Sequence, residues 1–210
     1  MKIEHKILVD KVHLLIFENQ RDITSTFLRF QEYYESPEFR RKIFSLKDFK
    51  KWYIKNSPNG IKTGKFTYYF DWNGFNIPSY ILKPFYKGSF NPISIKEKKI
   101  LDIFNIEKGI FYIIGIHKES KTSDNVLKHE IAHGLFYTNK KYKKEIISLL
   151  SKFNLDKIKE ELRSRAGYHE AVLDDEVQAY GVISGGKLKI SFPKKLQVGL
   201  EKIYKKYTCW

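Results

Sequence analysis

Apolar residues change their spacing about halfway along this chain, separating a strand-bearing half from a helical one. Residues 3–17, IEHKILVDKVHLLIF, are rich in Ile, Val and Leu and predict a first strand. ITSTFLRFQEYYES, residues 23–36, has helical spacing through Phe27, Phe30 and Tyr34 and stops before Pro37. Ser45 is placed to cap a second helix through Lys55, which the turn-rich NSPNG ends. KFTYYFDW, residues 65–72, is aromatic and β-prone, and NGFNIPSY after it predicts a turn. Ser94 is placed to cap a helix over 95–104. FYIIGIHK, residues 111–118, is the clearest strand: short, apolar, and bounded by Gly109 and a polar loop. TSDN, residues 122–125, supplies caps for a helix, and helical spacing continues over about 142–153, 156–164, 170–181 and 194–207. A weak KLKISF strand precedes the last of these. The expectation is an α+β fold, with strands in the first 120 residues and helices beyond. An aromatic-rich region over 1–105 and a second region over 106–210 are expected to pack as one compact unit.

Composition narrows the class. With 42% hydrophobic and 16% aromatic residues over 210 positions, the chain can bury a sizeable core and is not a disordered one. Its single cysteine, Cys209, excludes an intrachain disulfide and a cysteine-based metal site, and suits a reducing compartment. The first residues interrupt their apolar positions with charge and lack the continuous apolar core of a signal peptide. No later stretch reaches membrane-spanning length, so a cytoplasmic protein without a membrane partner is expected. The net charge of +15 invites comparison with nucleic-acid binders. Yet 33 of the 39 basic residues are Lys and 6 are Arg, and they are spread along the chain. Phosphate recognition tends to favour Arg forks, so the charge bears on solubility and on acidic partners more than on a site.

The candidate chemistry lies in VLKHEIAHGLFYTN, residues 126–139. Residues four apart on a helix are about 40° apart in direction and one turn apart in height, so His129 and His133 point the same way. Glu130, advanced by about 100°, sits beside an ion held by that pair without ligating it. Catalytic zinc needs two such neutral nitrogens, a further protein ligand and an open position for water, with a carboxylate to accept the water's proton. From the chain's own His and Glu content, roughly 0.01 chance occurrences of this HExxH pattern are expected. The alternative is an ordinary amphipathic helix carrying two histidines.

With these residues in view, the chain resembles the zincin metallopeptidases, which carry HExxH on a helix behind an edge strand. The similarity spans about 70 residues, from Phe111 to Gly181. It implies a zincin-like fold with a small mixed sheet. It also implies that residues 111–118 form the edge strand beside the active-site helix, pairing with a peptide substrate. Positions 136 and 139 are Phe136 and Asn139, which departs from the metzincin continuation. Downstream, DDEVQAY at 174–180 resembles the second motif of the gluzincins, whose glutamate ligates zinc, and this implies Glu176 as third ligand. Tyr180 stands where those proteins carry an aspartate that steadies a ligand histidine, leaving Asp174 or Asp175 for that task. Helical spacing independently puts His169, Val172, Glu176, Ala179 and Tyr180 on one stripe. His169 and Asp175 remain rival third ligands. Gluzincins bind the oxyanion of the tetrahedral intermediate with Tyr or His, which makes Tyr168 and His169 candidates for that role, a cap or packing role being the alternative.

Two functions follow as expectations. One is a zinc-dependent hydrolase, a peptidase acting on a peptide or protein, with one Zn2+ on His129, His133 and Glu176 and with Glu130 as general base. The other is a catalytically inactive zincin-like protein whose basic surface engages nucleic acid or an acidic partner. FTYYFDWNGFNIPSYILKPF is read as core strands and a turn, or as a wall of a substrate cleft.

Overall fold

Residues 3–17 form two strands where one was expected: β1 (Ile3–Val9) and β2 (Val12–Phe17). The charged pair Asp10 and Lys11 makes the turn between them, with Lys11 in the left-handed region at φ 62°. A computed structural model describes residues 1–119, 124–166, 170–184 and 190–208, with 165 and 166 in their backbone alone. It divides into two units, Met1–Lys6 with His13–Lys121, and Ile7–Val12 with Thr122–Trp210.

In the first unit α1 (Gln20–Glu35) is capped by Asn19, whose side chain accepts from the Asp22 N–H. Its buried stripe includes Ile23, Phe27 and Phe30, at the spacing read from the sequence. Helix α2 (Leu46–Asn56) has the expected Ser45 cap. NSPNG is more than a turn: Ser57 caps the short α3 (Pro58–Thr63), which has proline in its first turn and ends on Gly64 in the left-handed conformation. The two β assignments that follow are exchanged. KFTYYFDW is not a strand, and residues Tyr68–Phe70 form a single 3-10 turn. The expected turn holds strand β3 (Gly74–Pro78). The rings of Phe66 and Tyr68 pack on Phe49 and Tyr53 of α2, which satisfies them without a ladder, whereas Phe75 and Ile77 alternate into the core as a strand requires. After α4 (Lys83–Tyr86), Ser94 and Glu97 close a capping box on α5 (Ile95–Ile103).

Strand β4 (Tyr112–His117) lies where it was read, but its position in the sheet corrects the edge-strand expectation. The four-stranded sheet has the order β1-β2-β4-β3, so β4 has a neighbour on each side. It pairs antiparallel with β3, Phe75 opposite Gly115 and Ile77 opposite Ile113. On its other side the Lys118 N–H donates to the Phe17 carbonyl at 2.9 Å, at the matching ends of β2 and β4. With both ladders taken, β4 has no open row of backbone groups for a peptide. An apolar run such as YIIGIH is what a strand flanked on both sides needs, and it carries no sign of an edge.

Helix α1 crosses this sheet closely. Phe27 stacks on Phe75 at 5.5 Å, and a Cβ on Gly115 would come within 3.1 Å of both Ile23 and Phe27. Glycine at 115 therefore sets how near the helix comes. Arg29 on the same helix reaches Glu97 of α5 through two bonds of 2.6 Å, both residues buried.

The second unit is helical: α6 (Asp124–Thr138), α7 (Lys140–Leu150), α8 (Asp156–Ala166), α9 (Leu173–Val182, preceded by a 3-10 turn at Glu170–Val172) and α10 (Lys194–Thr208). Helix α9 packs on α6, α7, α8 and α10. It buries Leu173, Val177, Ala179 and Val182. A Cβ at Gly181 would collide with Leu200 of α10, so the glycine permits that close approach. The expected caps Thr122 and Ser123 lie outside the described residues, as do 187–189 of the KLKISF segment. Its described part, 190–192, is not strand. Among the described residues no helix is long and apolar enough to cross a membrane.

Candidate metal centre

The centre is built from α6 and α9. Helix α6 buries Ile131, Ala132, Leu135 and Phe136, and this apolar anchoring fixes the rotation of the helix. His129 and His133, one turn apart, then face α9. Their rings stand 4.6 Å apart at 83° to one another. From α9, whose Val177 and Ala179 are fully buried, Glu176 projects toward the pair.

The three side chains converge. The Nε2 atoms of His129 and His133 are 3.0 Å apart, and Glu176 Oε2 lies 3.7 Å from His133 Nε2 and 4.0 Å from His129 Nε2. A tetrahedral zinc with bonds near 2.0–2.1 Å separates its ligand atoms by about 3.3 Å. The observed triangle brackets that edge, so small rotations of the side chains suffice to seat an ion. Two imidazoles and one carboxylate are also the donor set that leaves a fourth position for water. Among the described residues this is the group of His, Cys, Asp and Glu side chains close enough together to hold a metal ion.

Asp175 does not join the triangle. Its Oδ1 sits 2.9 Å from His133 Nδ1, on the far side of the ring. That contact fixes the ring orientation and directs Nε2 toward the centre. The Gln178 side-chain amide donates to Asp175 at 3.0 Å, and the Tyr142 hydroxyl of α7 donates to Gln178 at 2.7 Å. Gln178 and Tyr142 are fully buried, so His133 is braced through three helices. Tyr180 packs its ring edge-on against His129 at 4.6 Å. Asp174 turns away and pairs with Lys159 of α8 at 2.8 Å.

These surroundings split the two histidines. Burial holds His129 well below its ordinary pKa, and the neighbouring charge on His133 adds to this, while the Ala179 backbone works the other way. Burial opposes charge on His133 too, but the Asp175 carboxylate, with Glu176 and Glu130 behind it, prevails and raises it. The two shifts run in opposite directions, and the carboxylates of Asp175, Glu176 and Glu130 around the pair suit a cation. Glu130 is half-buried on α6, and its charge reaches His133.

Of the residues singled out in the sequence, His129, His133 and Glu176 meet, Glu130 adjoins them and Asp175 supports them. Tyr168 and His169 lie outside the described residues. Sequence reading missed Gln178 and Tyr142. The spacing of Asp175 and Gln178 is one that lets neighbours on a helix bond, and it was a usable signal. Nothing local marks Tyr142. If a metal ion such as zinc is held there, replacing Asp175 with Ala is expected to weaken its binding by about 10–100-fold, read by competition with a chromophoric chelator, with helicity by circular dichroism unchanged. Compared with protein-family models, with curated proteins and with solved structures, the chain matches none.

Proposed function

We propose that the chain is a zinc-dependent hydrolase, and specifically a peptidase of the gluzincin type. The observation that carries this reading is the convergence of His129, His133 and Glu176, with Glu130 next to the first histidine. A zinc ion on those three ligands would polarise a carbonyl and bring the pKa of a bound water down to about 7. His129 and His133 would hold it through Nε2, with Asp175 keeping His133 in register. Glu130 accepts the proton of the attacking water and returns it to the leaving nitrogen as the amide C–N bond breaks. Tyr168 and His169, just before the 3-10 turn that leads into α9, are the candidates for an oxyanion donor. Because β4 is paired on both sides, the proposal assigns it no role in holding substrate.

The test is metal analysis of protein purified without chelators, together with cleavage of a quenched-fluorescent peptide library. About one zinc per chain is expected, with cleavage abolished by o-phenanthroline and restored by added zinc. Glu176→Ala and His129→Ala should lose the metal. His133 must release its proton before Nε2 can ligate, so zinc affinity should rise with pH and binding should release about one proton. Titration calorimetry in buffers of different ionisation enthalpy reads that proton. Wild-type protein that binds no zinc rules the proposal out. Salt-sensitive binding to DNA or RNA without any hydrolysis would instead favour the binding-protein reading.

A further inference from the structure

The first unit holds a second site of different character. A cavity of about 700 Å³ opens between α1, α2, α3 and the segment from Tyr68 to Asn76. Its lining includes three carboxylates, Glu32, Glu35 and Asp71, and no Lys or Arg. In a chain where 39 of 210 residues are basic, a lining of that size would ordinarily include several. Aromatic rings supply the walls. Tyr68 meets Phe49 at 5.4 Å and 89°, Tyr53 at 5.9 Å and 78°, and Trp72 at 6.3 Å and 54°. Trp52 lines the same space half-buried, and Trp72 is 51% exposed. Of these rings, Trp52 and Trp72 keep part of their surface open to solvent.

Two polar groups, the Tyr68 hydroxyl and the Glu32 carboxyl, meet in the lining. Tyr68 is 2% exposed, and its buried hydroxyl makes no hydrogen bond of ordinary geometry, although the Glu32 carboxylate is close by. Burial also pushes the Glu32 carboxyl above its ordinary pKa, partly offset by Tyr68 and Ser36. Asp71, by contrast, is engaged by the hydroxyl of Tyr53 and by the Asn59 amide at 2.9 Å. It contributes negative potential, not a free fork.

We propose that this cavity binds an alkylammonium group, held against the rings of Trp52 and Trp72 that line it, with Glu32 and Glu35 of the same lining supplying the negative charge. A cation within about 6 Å of an aromatic face is attracted by the ring quadrupole, and the attraction grows as the site is desolvated. Alkyl substituents suit the rings, and the carboxylates supply the opposite charge. Asp71, taken by Tyr53 and Asn59, offers no free fork to a guanidinium. A bare metal ion would require converging oxygens, and these three carboxylates are not grouped closely enough. The ammonium group comes either from a methylated lysine of a peptide or from a small free amine. The lining residues all belong to the first unit, whereas the candidate metal ligands belong to the second.

The experiment titrates the full-length chain with choline, with a trimethyl-lysine peptide, and with the neutral tert-butyl isostere of choline, followed by calorimetry and tryptophan fluorescence. Saturable binding of a cation is expected, about tenfold or more tighter than that of the isostere. Trp72→Ala, at an exposed position that leaves the core intact, should weaken it about tenfold, and Glu32→Gln should do the same. Preference for the peptide identifies a methylated side chain as the source, and preference for choline a free amine. Equal binding of choline and its isostere, or no saturable binding of either cation by the wild-type chain, overturns the proposal.

Discussion

Glu130→Gln is expected to retain about one zinc per chain and to lose hydrolysis by about 10²–10⁴-fold, the usual contribution of a positioned general base. Glutamine keeps the size of the side chain and most of its packing on α6, but its amide cannot accept the proton of a nucleophilic water. The ligand triangle of His129, His133 and Glu176 does not include residue 130, so the metal should stay. Loss of the Glu130 charge removes one of the groups that raise His133, although Asp175, the stronger of them, remains. The variant should therefore bind zinc at slightly lower pH than the wild type. Expressed as a barrier, the loss amounts to roughly 3–5 kcal/mol. Kinetics on the peptide library, paired with metal content on the same sample, make the measurement. Full activity with zinc in place would end the proposed mechanism. Loss of zinc and activity together would point to a ligand or folding role for Glu130.

Glu97→Ala should cost about 3–5 kcal/mol of stability, the range for removing one partner of a buried ion pair. Arg29 is 8% exposed and Glu97 3%. The guanidinium bonds both carboxylate oxygens at 2.6 Å and also reaches the carbonyls of Phe90 at 2.9 Å and Pro92 at 3.2 Å. Alanine at 97 would leave that charge in the interior without its counterion. It would also open the capping box, because Glu97 accepts the Ser94 N–H at 2.7 Å. Against a typical total of about 5–15 kcal/mol, this is a large share. Urea unfolding of the single variants and of the Arg29→Met, Glu97→Met pair supplies the measurement. The double variant should recover much of the loss, since neither charge is then stranded. A Glu97→Ala protein as stable as wild type would mean that water reaches the pair.

Many of the helices were legible because their signals are local. The caps at Ser45 and Ser94 sit where the side-chain chemistry placed them, and the helices downstream of Asn139 follow their apolar spacing within a few residues. His129 and His133 share a face because four residues make about one turn, whatever the helix packs against. Of the stripe read through Glu176, Glu176, Ala179 and Tyr180 lie on α9, whereas Val172 falls in the 3-10 turn before it and His169 lies outside the described residues. The sheet was harder to read. Residues 3–17 hold two strands whose separation rests on one turn, and residues 65–78 have aromatic and apolar positions suited to either a strand or a packed loop. Which outcome wins is decided by distant partners: α2 for Tyr68, and α1 and β4 for Phe75.

By itself the sequence determined the spacing of the candidate ligands, the stripe that carries Glu176, and the basic, cysteine-poor character of the chain. Each of these depends on residue type or on a single helical repeat. Only the tertiary structure decided that Asp175 braces His133 while Tyr180 packs on His129, that Tyr142 and Gln178 complete the brace, and that β4 lies inside the sheet. It also gathered Glu32, Glu35 and Asp71 around one aromatic cavity. These arrangements join residues on separate elements, whose meeting depends on packing and strand register, and no local periodicity encodes either.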